Sequence, residues 1–143
     1  MAANFLLYYE GLESSGNLYD RVWIDKWCNA YKMRQIIIDP TERYTQSAHE
    51  PYYFRTIEDA MDLSDLAGYS FYFLEHTAES YWNEISLPTE NACYCIGHDQ
   101  QGFYGYDTSV GTKIKVQHPN TEMRDGEWYA TMVAPMLMTQ IYH

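Results

Sequence analysis

Basic residues are scarce. The 143-residue chain carries 9 lysines and arginines against 20 aspartates and glutamates, a formal net charge of −11. A chain this acidic repels a phosphate backbone unless its few cations are focused in one place, which disfavours RNA and favours a protein partner or a small molecule. Cysteine is sparse too: Cys28, Cys93 and Cys95 cannot all pair within one chain. That excludes a disulfide scaffold and leads us to expect a reducing, cytoplasmic setting. No apolar run approaches the ~18 residues of a membrane-spanning helix, so no membrane partner is expected. The start, Met1–Phe5, lacks the charged, long-apolar pattern of a signal peptide. Also missing are a zinc-like histidine or cysteine spacing, a Walker lysine, a Gly-x-Ser-x-Gly elbow and a Cys–His nucleophile pattern.

What is present fits one folded domain over 1–143. Hydrophobic residues make up 46% of the chain and aromatics 17%, including 15 tyrosines. This is enough apolar material for a sizeable core, and aromatics by themselves carry no chemistry. No repeat, linker or low-complexity segment breaks the chain.

Periodicity suggests alternating strands and helices. Phe5–Tyr9 reads as a buried strand, followed by a loop over Gly11–Gly16 and a helix capped by Asn17. Trp23, Trp27 and Tyr31 recur every four residues and predict that helix's apolar stripe. Gln35–Ile38 runs into three β-branched, apolar isoleucines, as in strands covered on both faces. Thr41–Phe54 has no period and reads as loop. Thr56 opens a helix to about Leu66, stopped at Gly68. Further strands are expected at Tyr69–Leu74, Ala92–Ile96 and Ile114–Val116, with a short helix over Thr77–Ile85. Trp128–Ile141 is apolar almost all round, which suits a helix buried on most sides, as in a dimer interface; Pro135 would kink it. The pattern implies an α/β fold, a parallel sheet flanked by helices.

In such sheets, ligands bind beyond the carboxyl ends of the strands. Three loops fall there: Glu10–Gly16, Glu75–Glu79 and Gly97–Gly102. The last, Gly-His-Asp-Gln-Gln-Gly, lets backbone approach a ligand closely, but taken alone it reads more readily as a plain turn. Glu75, His76 and Glu79 suit capping and solvation better than acid–base or metal chemistry.

The segment ACYCIGHDQQG over 92–102 resembles the second motif of the SpoU (TrmH-like) branch of the SPOUT RNA methyltransferases. There an apolar strand enters a Gly-x-Glu-x-x-Gly-Leu loop. Gly97 and Gly102 match, Asp99 stands in place of the Glu, and Phe103 stands near the Leu. Upstream, YFLEHTAESYW and LPTENA are similar to the family's strand, loop and Pro-x-x-Asn-Ala lead into that motif. SSGNLYDRVWIDKWCNAYKMRQIIID resembles its first, Asn-bearing motif. KIKVQHP and GEWYATMVAPMLM resemble its cofactor-loop strand and last helix.

The resemblance implies a C-terminal trefoil knot, rare among proteins in general. It implies S-adenosylmethionine bound in that knot, a homodimer packed through the last helix, and methyl transfer to a ribose 2′-hydroxyl. Carried over, Asn17 and Arg21 become the catalytic pair. Ile96, Gly97, Asp99 and Gly102 lie at the cofactor, and backbone around Val116, His118 and Pro119 and from Thr131 to Val133 closes its pocket. The chain departs from the family where Trp128-Tyr129-Ala130 replaces Ser-x-Asn. Arg21, Lys26, Lys32 and Arg34 could form a local cationic patch, diluted by Asp20 and Asp25. The alternative is a catalytically degenerate, acidic binding or inhibitor protein on the same scaffold, acting through protein–protein contacts.

Overall fold

A five-residue run with no polar side chain can only be a strand if both of its faces are covered. The computed structural model shows this twice. It describes residues 2–9, 17–40, 51–75, 77–97, 102–115 and 130–143, with side chains at 17–21 and 130–132 outside that description. Strands β1 (Phe5–Tyr9) and β5 (Ala92–Ile96) are buried at every position. They lie side by side in the middle of a parallel sheet, Leu7 opposite Cys95. Outward from β1 come β2 (Arg34–Ile38) and β3 (Tyr52–Phe54); outward from β5 come β4 (Ser70–Leu74) and β6 (Thr112–Ile114). The order is β3-β2-β1-β5-β4-β6, and every pairing is parallel.

Side chains alternate between two cores, as the period of a strand requires. On one face Leu6, Tyr8, Ile37, Tyr94, Ile96 and Ile114 meet helices α1 (Asn17–Tyr31) and α3 (Ala130–Tyr142). On the other face Phe5, Leu7, Ile36, Ile38, Phe73, Cys93 and Cys95 meet α2 (Ile57–Met61), the 3-10 turn Ser64–Leu66 and Phe103. The two thiols share a face as their spacing requires, with sulfurs 3.9 Å apart.

Several expectations are corrected. The segment read as loop over Thr41–Phe54 ends in β3, whose three aromatics pair with Ile36–Ile38; three residues are too few to show a period. The helix opened by Thr56 has the expected cap, the Thr56 hydroxyl accepting from the Asp59 N–H at 3.2 Å, but stops at Met61. Gly68 ends the following turn at φ 82°. No helix forms over 77–85. The backbone there pairs with Lys115 instead: the Trp82 N–H donates to its carbonyl at 2.9 Å, and its own N–H donates to Ser80 at 3.0 Å. Burial of Trp82 holds that pairing and overrides local helix preference. The sixth strand begins at Thr112, two residues earlier than expected, because Gly111 packs on β4. A Cβ at Gly111 would lie 2.6 Å from the Phe71 carbonyl oxygen.

The apolar stripe of α1 is rotated by one residue. Ile24 and Cys28 are fully buried, Trp27 and Tyr31 lie partly buried beside them, and Trp23 is 52% exposed. On α3 the inward stripe is Val133, Ala134, Leu137, Met138 and Ile141. Pro135 lies inside this helix, where the Thr139 hydroxyl donates to its carbonyl. The passage 116–129, which the expected knot requires, lies outside the described residues, as does Trp128.

Asn4 ties the two ends of the chain together at the amino edge of the sheet. Its Nδ2 donates to the Pro88 carbonyl and to the Tyr142 hydroxyl, both at 3.0 Å, and its Oδ1 accepts from the Ala92 N–H. Asn4→Leu strands the Ala92 N–H in the core and should cost about 2–3 kcal/mol, read from the urea midpoint at unchanged m-value.

Candidate functional site

The direction of the sheet reverses beside β1. From β1 the chain steps outward through β2 to β3, then crosses to β4 on the far side, and β5 returns between β1 and β4. The crevice beyond the carboxyl ends of β1 and β5 is therefore the switch point, where open α/β sheets place ligands.

Gly97 leaves β5 at this point. A Cβ on it would lie 2.9 Å from the carbonyl carbon and oxygen of Gly102, and Gly102 itself sits at φ 58°. The two glycine backbones close the neck of the loop, and neither position suits a side chain. This contact and the φ of Gly102 account for both glycines without any ligand. Asp99, between them, lies outside the described residues.

Past the neck, Phe103 plugs the core edge-on against Phe73, ring centroids 5.3 Å apart. Tyr104 follows at φ 53° and stacks on Tyr9, the last residue of β1, at 5.2 Å and 28°. A left-handed backbone costs a bulky residue about 1–2 kcal/mol. The ring pair with Tyr9 returns about 0.5–1.5 kcal/mol, which offsets part of that cost. Burial, with Glu58 second, pushes the Tyr9 hydroxyl far above its usual range; burial also raises Tyr106. Both stay protonated at neutral pH. Burial pushes the Cys28 thiol up to about 12 and Cys95 well above its usual value, which makes them core residues and not nucleophiles.

At the end of β4, the Glu75 carboxylate accepts from the Thr108 hydroxyl at 2.6 Å and lies 3.9 Å from the Lys113 amine. Those partners give it a structural role at the sheet edge. His76 lies outside the described residues. Among the described residues no three metal-ligating side chains converge.

Asn17 and Arg21 fall on the first turns of α1, which begins on the carboxyl side of the sheet, one helical turn apart on one face. Their side chains are outside the description. Ile96 and Val133 are both buried in the apolar cluster that α1 and α3 form over this face of the sheet. Thr131 lies on the first turn of α3; Val116, His118 and Pro119 lie outside the described residues. The four-residue cationic patch is not assembled. Arg34 starts β2 at the opposite, amino edge, bonded to Asp65 at 2.7 Å and lying 4.4 Å over the Phe5 ring. Its guanidinium and the Tyr52 hydroxyl hold the Asp65 carboxyl below the usual carboxylate range. Lys26 lies 4.7 Å over the Trp23 ring. The Tyr9–Tyr104 stack was not foreseen. The one signal for it is Gly-Phe-Tyr-Gly-Tyr, a glycine-flanked aromatic run of a kind that reads as a turn.

No family model and no curated protein matches the sequence, so likeness rests on shape. A protein solved for the 2-OH methylation of C/U34 on tRNA superposes with a TM-score of 0.71 at 12% identity, covering 99% of this chain and 90% of that one. The A. aeolicus TrmH/SpoU tRNA modifying enzyme superposes with a TM-score of 0.68 at 9% identity, covering 96% of this chain and 73% of that one. The SpoU methyltransferase AviRb from Streptomyces viridochromogenes gives 0.68 at 10%, covering 97% of this chain and 58% of its own. The chain has the SpoU-type fold.

Gly97→Ala forces its methyl group into the Gly102 carbonyl, and backbone cannot swing aside as a flexible side chain could. We expect a loss of about 1–3 kcal/mol by chemical denaturation. Unchanged stability would show that the neck opens freely.

Proposed function

We propose that this SpoU-fold chain binds S-adenosylmethionine at the carboxyl end of β5 and serves as an RNA ribose 2′-O-methyltransferase. The observation that carries the reading is the glycine neck at the switch point: Gly97 and Gly102 touch backbone to backbone where β5 ends between β1 and β4. These residues fit the group. Gly97 and Gly102 carry no side chains that would keep the cofactor from the backbone, and Ile96 and Val133 are apolar residues buried in one cluster on that side of the sheet. Ile96, Gly97, Asp99 and Gly102 would hold the cofactor, with backbone at Val116, His118, Pro119 and Thr131–Val133 closing over it through the proposed knot.

When bound, the cofactor supplies a methyl group on a positively charged sulfur. The chain's own part is to orient and polarise the ribose hydroxyl, a task of alignment and proton handling. Asn17 and Arg21, one turn apart at the start of α1, are the groups for it. The homodimer would use the outer side of α3 and the neighbouring α1 surface, where Val22 and Trp23 are half exposed.

A second reading has its own support. The net charge of −11 and the replacement of Ser-x-Asn by Trp128-Tyr129-Ala130 suit an acidic binding protein on this scaffold. Calorimetry with S-adenosylmethionine separates the two. The enzyme reading expects saturable binding to the wild-type chain. It also expects Arg21→Ala to keep that binding while losing about a hundredfold or more in RNA methylation. No heat with either the cofactor or its demethylated product rejects the first reading; full methylation by Arg21→Ala removes Arg21 from the site.

A further inference from the structure

Among the described residues one ionisable acid is buried and no base is. Asp39 is 1% exposed and stands at the carboxyl end of β2, one residue past the Tyr9–Ile38 pair. Its N–H donates to the Phe54 carbonyl at 2.7 Å, so the ladder with β3 runs on to it. Ile37 is buried in the cluster on the α1 side of the sheet, and Ile38 in the cluster on the α2 side. Alternation along the strand therefore puts Asp39 on the α1 side, at the edge from which α1 starts. A carboxylate held there needs a cation, because an ionised group taken out of water is costly unless it is paired.

Nine cations are available in the chain. Arg34 is committed to Asp65 at the amino edge, and Lys26 lies over the Trp23 ring. Lys32 follows the last turn of α1 at that same amino edge. Lys113 and Lys115 lie in and just after β6, on the far side of β5 and β4. Arg43 and Arg124 are outside the described residues, and Arg55 is exposed at the end of β3. Arg21 comes three residues before Ile24 and seven before Cys28, both fully buried. That spacing places it at the head of the sheet-facing stripe of α1, at the edge where Asp39 stands.

We propose that Asp39 is a positioning residue, whose carboxylate holds the Arg21 guanidinium in the orientation that methyl transfer needs; the role rests on the methyltransferase reading. A guanidinium offers a planar fork of donors and a carboxylate accepts two of them, which fixes direction as well as charge. An arginine with no such partner samples many rotamers, and displacing a polarising group by about 1 Å can slow transfer about a hundredfold. Asp39 is buried and so acts through Arg21, not on the ribose. Asp25, one turn beyond Arg21 and partly buried, is the competing acid.

The first test needs neither cofactor nor RNA. In urea denaturation of the full chain, Asp39→Asn should raise the unfolding constant about tenfold or more, but about twofold or less when Arg21→Met is already present. Additive losses with Arg21→Met overturn the proposal, as does coupling of Asp39 to Arg55→Met or Arg43→Met instead, or coupling of Arg21 to Asp25→Asn alone. The second test follows the methyl group of labelled S-adenosylmethionine into total RNA. Asp39→Asn should slow methylation about a hundredfold, keep cofactor affinity by calorimetry, and add nothing to the loss in Arg21→Ala. Asp39→Glu keeps the charge and should recover most of the stability and part of the methylation, which guards against a misfolded Asp39→Asn. A methylation loss that adds in full to that of Arg21→Ala, or a loss of cofactor binding in Asp39→Asn, overturns the positioning role. A wild-type chain that methylates no RNA sinks the enzyme reading and this role with it, while the stability cycle still reports whether the pair forms.

Discussion

Strand β5 lies between β1 and β4, hydrogen-bonded in parallel to both and with all five side chains buried. A strand in that position needs neighbours on both sides and cover on both faces, so most of the molecule is arranged around it. Cys93 and Cys95 supply one core, and Ala92, Tyr94 and Ile96 supply the other. Because β5 enters after β4 has been laid down on the far side, the sheet reverses direction at β1, and the crevice of the candidate site follows from that reversal. Two helices running side by side, α1 and α3, close one face; their carboxyl ends meet where Tyr31 stacks on Tyr142 at 5.2 Å.

The carboxyl edge combines two kinds of constraint. The neck between Gly97 and Gly102 is steric, with no room for a Cβ. The Tyr9–Tyr104 stack is energetic, a ring contact offsetting an unfavourable backbone. Neither requires a ligand for its explanation. The net charge of −11 opposes a polyanion approaching the glycine neck.

Where the sequence was legible, the reason was period and length. Phe5–Tyr9, Ile36–Ile38 and Ala92–Ile96 are unbroken apolar or aromatic runs, and all three lie in interior strands. Thr56 was readable as a cap because its hydroxyl acts on an amide three residues away. Where it misled, distant partners had overruled local preference. The 77–85 segment has helical composition, yet its backbone is taken by Lys115, more than thirty residues on. Trp23 belongs to a four-residue repeat, yet the helix turns Ile24 and Cys28 inward, because these smaller side chains fit beneath α3. Arg34 is one of only nine cations, and it is spent at the amino edge on Asp65.

Local physics thus sufficed for the class of fold, for the central strands and for the glycine loop at the end of β5. These depend on side-chain period and on glycine's freedom of backbone, both of which are written in neighbouring residues. The strand order, the pairing of β3 and β6, the commitment of Glu75 to Thr108 and the stacking of Tyr104 on Tyr9 were decided only by the folded molecule. Each depends on which distant surfaces come into contact, and burying those surfaces is worth more than the local preference of any one segment.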